Sequence, residues 1–591
     1  MDYIVFDYET HYDQDYSLKK IPTHQYIRDE RFQTLGVSWY RASWRDRQGP
    51  GWIAGAESAK AQVQAFDPLL PWVGHNLAFD ASVALWHHIS PHRQPRQPVL
   101  WLDTMLMARY AIAQGILPPD IRTGLAALAE HYGLDAKGDT AAAVDAGGDE
   151  LAAYAKHDVY LTDQILRRLL PHIPKFEMQL MDLHIRMTAD PVLRLDTDLC
   201  HAEIAANTMD EGIKKAVGSA EKFAAALRAA GIAPETKESP RTGKQTYAFA
   251  KTDPFMQGLQ THSDPRVRKL AELRLQSKSN LAKNRAERFL AIGAPFPVPL
   301  LYYGAHTGRA SGLDKLNLQN LPRGGRLRRA LKAPPGHKLV IVDSGQIEVR
   351  VLAWLAGAES LLEACRAFDA GEGPDIYVAF GSRNLYGCAP EDVTKDQRTH
   401  AKPVVLGAGF GQGWRGLQVY AQQVFGVEMG EHQAQASVEA YRRAYPQVVR
   451  YWDRAVDEIS RTGEQVLPNG RKLTYPDLRR RGRDLYFDRH QIFSKQYVGK
   501  RDEIKLWHGL AVENAVQATA RDVVMWQTLQ LAQRYRVVLS VHDEAVLCVP
   551  EDQAEQALTD ALEAFGTAPP WAPGLPVAGE GVISDDYGAK P

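Results

Sequence analysis

Cysteine is scarce. The four in this chain of 591 residues, Cys200, Cys365, Cys388 and Cys548, are scattered and show no zinc-ligand spacing. A disulfide framework and a structural zinc site are therefore not expected, and a reducing cytoplasm is the natural setting. Long apolar runs are missing too. Nothing approaches the roughly 20 residues that a membrane span requires, so no membrane partner is expected. The first residues, MDYIVFDYET, are acidic and strand-like, unlike a signal peptide. Internal repeats and low-complexity linkers are absent. Net charge is nearly absent as well, because 70 Lys and Arg offset 71 Asp and Glu to leave -1. A neutral total still allows local clusters to grip an anionic partner. Three stand out: Arg266 to Arg288, Arg323 to Lys332, and Arg479 to Arg483. One such cluster is usually a solvated face, but three together point towards phosphate contacts.

What is present is a soluble globular composition, 45% hydrophobic and 24% charged, too long for one core. Residues 1 to about 180 alternate strand-like and helical patterns, as an α/β domain does. DYIVFDYET and TLGVSWY read as its first strands. From about 196 to 292 the chain is rich in Ala, Lys and Arg and mainly helical. A second helical block, roughly 372 to 525, is interrupted by LPNGRKLTYP, whose Asn469-Gly470 predicts a hairpin turn.

Two sets of residues carry chemistry. In VVLSVHDEAVLCVP, two apolar runs flank His542, Asp543 and Glu544, which reads as a β-hairpin with acids at its tip. About two hundred residues earlier, the run Leu339 to Val342 ends in Asp343. Carboxylates from separate strands, brought together by the fold, suit a two-metal site for phosphoryl transfer. The second set is N-terminal. Asp7 and Glu9 end the first strand and, two apart, leave it on one face. With 71 acids in the chain, roughly eight such pairs arise by chance, so the pair needs company. It has it in Asn76, Phe79 and Asp80 of VGHNLAFDASVALW, and in Tyr154 and Asp158, which share a helix face.

These N-terminal motifs, in this order, resemble the DEDD-type 3′–5′ exonucleases, whose patterns are D-x-E, N-x-x-x-[FY]-D and Y-x-x-x-D. The resemblance implies that Asp7, Glu9, Asp80 and Asp158 ligate two divalent metals and that Tyr154 orients the attacking water. His157 has no second acid at the spacing used by the histidine subclass. From Thr307 onward, TGRASGLDKLNLQNLPR, DSGQIEVR, RTHAKPVVLGAGFG, VENAVQATARD and VHDE resemble family A DNA polymerases, the class containing the Klenow fragment, across about 240 residues. The implied fold is multidomain, α/β plus α+β. An RNase H-like exonuclease domain (1–180) precedes a right-hand polymerase domain (181–591). The thumb would be at about 196–300, the palm at 301–370 and 511–591, and the fingers at 371–510.

Carried over residue by residue, the resemblance makes Asp343 and Asp543 metal-binding acids and Glu544 a nearby supporting acid. Arg398 and Lys402 would clamp the triphosphate, with Lys402 stabilising the departing pyrophosphate. Glu348 would be the steric gate against a 2′-hydroxyl. Gln346, Leu406 and Phe410 would face the nucleotide, and Arg309, Gln319, Gln517 and His542 the primer-template. Two Mg²⁺ or Mn²⁺ ions are implied per active site. DNA primer-template and dNTPs are the implied partners, with a helicase-primase or processivity factor also possible. Short length, Leu406 and ENAVQATARD look most like phage-encoded members. Four departures bear on nucleotide selection, the first being Phe410 where the family usually has tyrosine. Ser344-Gly345 replaces an aromatic and a serine, Leu406 replaces an aromatic, and Glu513 stands where Asn is usual. Pro403, Gly407 and Gly409 predict a bent fingers helix. Competing readings are a nuclease whose polymerase half only grips DNA, a non-catalytic DNA-binding module, and a single-subunit RNA polymerase. The intact acids argue against the first two, and Glu348 with the exonuclease motifs against the third.

Overall fold

The computed structural model describes residues 2–42, 49–90, 95, 97–208, 211–238, 245–251, 253–278, 280–314, 316–493 and 502–590; Lys315 of the Thr307 motif lies outside them. Tyr3–Thr10 (β1) is apolar on both faces for most of its length, as a strand covered on both sides must be. It is the central strand of a five-stranded sheet in the order β3-β2-β1-β4-β5. The others are Thr34–Ala42 (β2), Gly51–Ala54 (β3), Trp72–Gly74 (β4) and Trp101–Asp103 (β5). β2 runs antiparallel to β1, with Asp7 opposite Ser38 and Glu9 opposite Gly36, whereas β4 is parallel to β1 and β5 to β4.

Four helices matter here: Ala78–Val83 (α1), Thr104–Ala113 (α2), Gly148–Leu169 (α3) and Lys175–Ala189 (α4). α3 lies against β1 and β2, burying Leu151, Tyr154, Ala155, Asp158, Val159 and Thr162, the spacing of one helix face.

Next, Thr197–Ala206 (α5) packs on Leu281–Ile292 (α6). Between them the chain builds a second, separate core from Val217, Phe223, Leu227, Phe249, Met256 and Val267. The basic run Arg266 to Arg288 is thus two helices, one ending at Lys278 and the other starting at Leu281.

A second sheet is fully antiparallel, in the order β7-β8-β6-β9, from His337–Ser344 (β6), Arg536–Val541 (β7), Glu544–Pro550 (β8) and Gly579–Ser584 (β9). Ile347–Ala356 (α7) follows β6 directly, and Lys395–Ala408 (α8) lies in the mainly helical stretch beyond. His508–Ala532 (α9) packs on α7 and β7, and Ala554–Phe565 (α10) on β6 and β9. The hairpin expected at Asn469-Gly470 is present between Glu464–Val466 and Lys472–Thr474, with Gly470 at φ +85°.

A buried ionic network joins the two halves. Arg521 on α9 bridges Glu177 on α4 through two hydrogen bonds of 2.7 and 2.9 Å, and the Tyr302 hydroxyl donates to the same acid at 2.5 Å. Beside it, Asp522 accepts from Arg471 Nε at 3.0 Å, and Arg471 also donates to the Tyr303 hydroxyl. One continuous apolar core runs through both sheets. Among the described residues, no helix is long and apolar enough to cross a membrane.

Candidate functional site

The N-terminal acids converge because β1 and α3 cross. Asp7, Glu9 and Asp158 each offer a carboxylate oxygen, all within 4.8 Å of one another. Burial pushes Asp7 up to about 7, with the Asp158 charge adding to it. Burial likewise pushes Glu9 up to about 9, helped by Asp7 and then Asp158. Such a cluster stores repulsion that a cation relieves. One oxygen of Asp158, Oδ1, is buried with no hydrogen-bond partner.

Asp80 is set slightly apart. It lies buried on α1, and its Oδ1 accepts from the Tyr8 backbone N–H at 3.1 Å, so it braces the strand between Asp7 and Glu9. The turn before α1 is held by Asp103, which accepts from the N–H groups of Asn76 and Leu77 while capping α2. Asn76 adopts φ +63°, a left-handed conformation that Asn tolerates. The Tyr154 hydroxyl is gripped by Lys137 Nζ at 2.5 Å and Thr140 Oγ1 at 2.6 Å. His157 faces away, its Nε2 lying 3.2 Å from the Ala136 carbonyl.

The second acid site sits at the end of the antiparallel sheet. His542 and Asp543 form the two-residue turn between β7 and β8, with His542 at φ +51°. The Asp543 carbonyl accepts from Ser344 N–H at 2.9 Å, which pins the turn beside Asp343 at the end of β6. Burial pushes Asp343 up to about 7, with Asp543 and then Glu544 raising it further and Arg323 opposing. Asp543 is likewise raised, chiefly by burial. Glu544 is differently engaged. Both its oxygens accept from Arg328, at 2.8 and 2.7 Å, and one also accepts from the Tyr587 hydroxyl at 2.5 Å. It lies directly opposite Asp343 in the strand register and lines the same cleft.

Asp343 and Gln346 open into a cavity of about 230 Å³ that Tyr377, Arg323 and Lys590 also line. Gln346 is left-handed at φ +55°, where it caps α7, and its Oε1 has no partner. Lys402 and Arg398 lie over the face of Tyr377, at 5.7 and 5.5 Å from the ring centroid, and Arg398 Nε pairs with Asp375 at 2.6 Å. Burial, then the Arg398 charge, lowers Lys402 below the usual lysine range. α8 runs through Pro403 and stops at Ala408. Leu406 is therefore on the helix and Phe410 two residues past its end, and both are partly buried against the core.

On the other side of Asp543 is a polar group. Arg309 Nη2 pairs with Glu348 at 2.7 Å, Gln517 donates to Glu513 at 3.1 Å, and Gln319 donates to the Ala310 carbonyl at 3.2 Å. Burial, then the Arg309 charge, lowers His542. Glu513 is raised by burial and then by Glu348.

The basic clusters are less free than the sequence suggests. In the second, Arg326 pairs with Glu203, Arg328 with Glu544 and Lys332 with Asp196. In the third, Arg479 pairs with Asp488 and Glu503, and Arg481 with Glu503. The exposed pairs are worth only about 0–1 kcal/mol, so phosphate could displace them, but buried Arg328 is committed. Sequence reasoning missed Lys137, Thr140, Asp375 and Tyr377. Asp375 carried a signal, since it precedes an apolar helix start and caps Ile376–Phe380.

Comparison with known proteins gives concordant results. The family model for DNA polymerase family A matches residues 206–572. DNA polymerase I of Pseudomonas aeruginosa is 35% identical over 257 residues, which are 43% of this chain and 25% of that protein. The alignment thus spans about a quarter of that relative's length. The DNA polymerase of Bacillus phage SP02 is 26% identical over 511 residues, 74% of this chain and 75% of its own. The POL domain of Pol1 from M. smegmatis, solved with DNA primer-template and dNTP, shares the fold with a TM-score of 0.69 at 18% identity, covering 99% of this chain and 96% of that one.

Proposed function

The chain belongs to DNA polymerase family A, and from that premise we propose that it is a template-directed DNA polymerase with a 3′–5′ proofreading exonuclease. One arrangement carries the synthetic half of this reading. Asp343 and Asp543 stand at adjacent strand ends, and Asp343 opens into a cavity shared with Tyr377, over which Lys402 and Arg398 lie.

The donor set fits the implied ions. Buried, mutually repelling carboxylates are hard oxygen ligands of the kind Mg²⁺ and Mn²⁺ take. Bound there, two such ions would neutralise triphosphate charge and activate the primer hydroxyl. The chain's own groups do the rest. Arg398 and Lys402 receive the β- and γ-phosphates. As the primer 3′-oxygen bonds to the α-phosphorus and the bond to the bridging oxygen breaks, Lys402 meets the charge that builds on pyrophosphate. Glu348 closes the sugar pocket, with Gln346, Leu406 and Phe410 nearby. Arg309, Gln319, Gln517 and His542 read minor-groove acceptors common to all base pairs, which suits a sequence-independent enzyme.

The N-terminal domain, residues 1–180, is assigned the exonuclease. Its strand order, with an antiparallel 3-2-1 ribbon extended by two parallel strands, supports an RNase H-like reading. Asp7, Glu9, Asp158 and the bracing Asp80 would hold the ions, and the Tyr154 hydroxyl would orient the water that attacks the terminal phosphodiester. The fit again rests on chemistry: three carboxylates within 4.8 Å and one buried, unpartnered oxygen. Thumb, palm and fingers follow at about 196–300, 301–370 with 511–591, and 371–510. The match along most of a phage polymerase supports a replicative role in a phage. A helicase-primase or processivity partner fits that role, as does the host cytoplasm as its place of action.

The test is a labelled primer-template incubated with Mg²⁺, with and without dNTPs. Template-dependent extension with dNTPs and 3′ shortening without them are expected. A protein that only shortens the primer would favour the nuclease reading instead.

A further inference from the structure

Lys137 has no place in the readings above, yet it is the cation nearest the N-terminal acids. Its Nζ bonds to Asp158 Oδ2 and, at 2.5 Å, to the Tyr154 hydroxyl, and it lies 4.7 Å from the centre of the Tyr154 ring. Its charge opposes the repulsion felt by both Asp7 and Glu9.

The loop that carries it is built for this placement. Gly138 lies against Tyr154, where a Cβ would come 3.1 Å from the ring. Asp139 caps the helix Thr140–Ala146 by accepting from Ala141 and Ala142. That fixes Thr140, whose hydroxyl sits 2.6 Å from the Tyr154 oxygen. Lys137, Gly138 and Thr140 thus clamp the tyrosine from one side. Asp158 is left with one oxygen on Lys137 and the other, Oδ1, buried and free.

We propose that Lys137 is a tethered cation of this acid cluster, a positioning residue that takes one oxygen of Asp158 in place of a second divalent ion and leaves Asp7, Glu9 and Asp158 Oδ1 to hold a single ion tightly. The proposal rests on the exonuclease reading of the site. An ammonium within contact distance of a buried carboxylate competes directly with a metal for it. Before DNA binds, the domain carries one strongly held metal, and the same ammonium keeps the Tyr154 hydroxyl in one orientation.

The experiment counts Mn²⁺ bound by the full-length chain, using calorimetry and the EPR signal of free Mn²⁺, in an Asp343→Asn/Asp543→Asn background that silences the palm. One tight ion is expected there, lost on adding Asp7→Ala. Lys137→Met should bind a second ion, or the first at least about tenfold more tightly, while Lys137→Arg retains the background count because it keeps the charge. The unfolding midpoint of each variant reports whether it is folded, and Lys137→Gln, equally uncharged but able to keep a hydrogen bond, carries the same expectation if Lys137→Met is not. Should Arg bind a second ion, or should Met match the background in both count and affinity, the tethered-cation role is wrong while the metal site stands. If Asp7→Ala binds as much Mn²⁺ as the background, the metal reading itself falls, and the Lys137 role with it.

Discussion

Arg309 Nη2 lies 2.7 Å from Glu348 Oε1, so the acid at the start of α7 is held in place by a guanidinium from the loop ahead of the second sheet. As the proposed gate against one hydroxyl, Glu348 would have to be rigid, and this pair would supply the rigidity. Glu348→Ala should admit ribonucleotides, raising the rNTP-to-dNTP efficiency ratio by about tenfold or more. Glu348→Gln keeps the size and should preserve most of the discrimination. Both ratios are measured by single-nucleotide incorporation in an Asp7→Ala background. Unchanged ratios in both would place the gate elsewhere.

The two acid sites should fail independently, because they lie on different sheets with their own ligands. Asp7→Ala is expected to slow removal of a single-stranded 3′ end by about a hundredfold or more and leave extension near parental. Asp343→Asn and Asp543→Asn should each cut extension by about a thousandfold and leave 3′ trimming intact. Gel assays of one 5′-labelled primer read both activities.

Leu406 lies one turn beyond Lys402 on α8 but offers no hydroxyl to replace a missing 3′-OH. Strong rejection of dideoxynucleotides is expected. Leu406→Tyr should weaken that rejection by about tenfold, the worth of one recovered polar contact. Comparing ddNTP and dNTP incorporation by the two exonuclease-deficient proteins decides it, and equal selectivity would remove Leu406 from the sugar pocket.

His184 is buried against the Arg521–Glu177 pair, and burial, reinforced by Arg521, lowers it to about 4. A histidine kept neutral in the fold favours the unfolded chain as pH drops below its ordinary value near 6.5. Its destabilising effect therefore grows from about pH 6.5 down to 4 and is absent above. His184→Leu should lessen the acid loss of stability by about 2 kcal/mol between pH 6.5 and 4.5, read from urea midpoints, with no such relative gain at pH 8.

Local periodicity made much of this legible. Alternation put Asp7 and Glu9 on one face of a strand, i,i+4 spacing put Tyr154 and Asp158 on one face of a helix, and two apolar runs marked the turn at His542 and Asp543. Three features had no local signature. Glu544 is claimed by Arg328, 216 residues away, and by Tyr587, 43 away, so its engagement by these partners depends on tertiary contact alone. Arg479 and Arg481 looked like an open basic patch until Asp488 and Glu503 arrived from neighbouring strands. Lys137 is one lysine in a short loop, and only the Tyr154 ring beneath that loop gives it meaning.

The pairing of Arg521 with Glu177 bears on how this protein can be taken apart. An Arg–carboxylate pair sealed in an apolar interior tolerates loss of one member poorly, at about 3–5 kcal/mol. Here Glu177 sits on α4, which packs against the first sheet, and Arg521 on α9, which packs against the second. A chain freed of its first 180 residues would leave Arg521 with Asp522, at 2.8 Å, in place of Glu177, and would bare the Tyr302 hydroxyl. The N-terminal domain is thus not a detachable accessory. It is a wall of the building it adjoins, and a workable truncation would have to make good the contacts that Glu177 gives Arg521 and Tyr302.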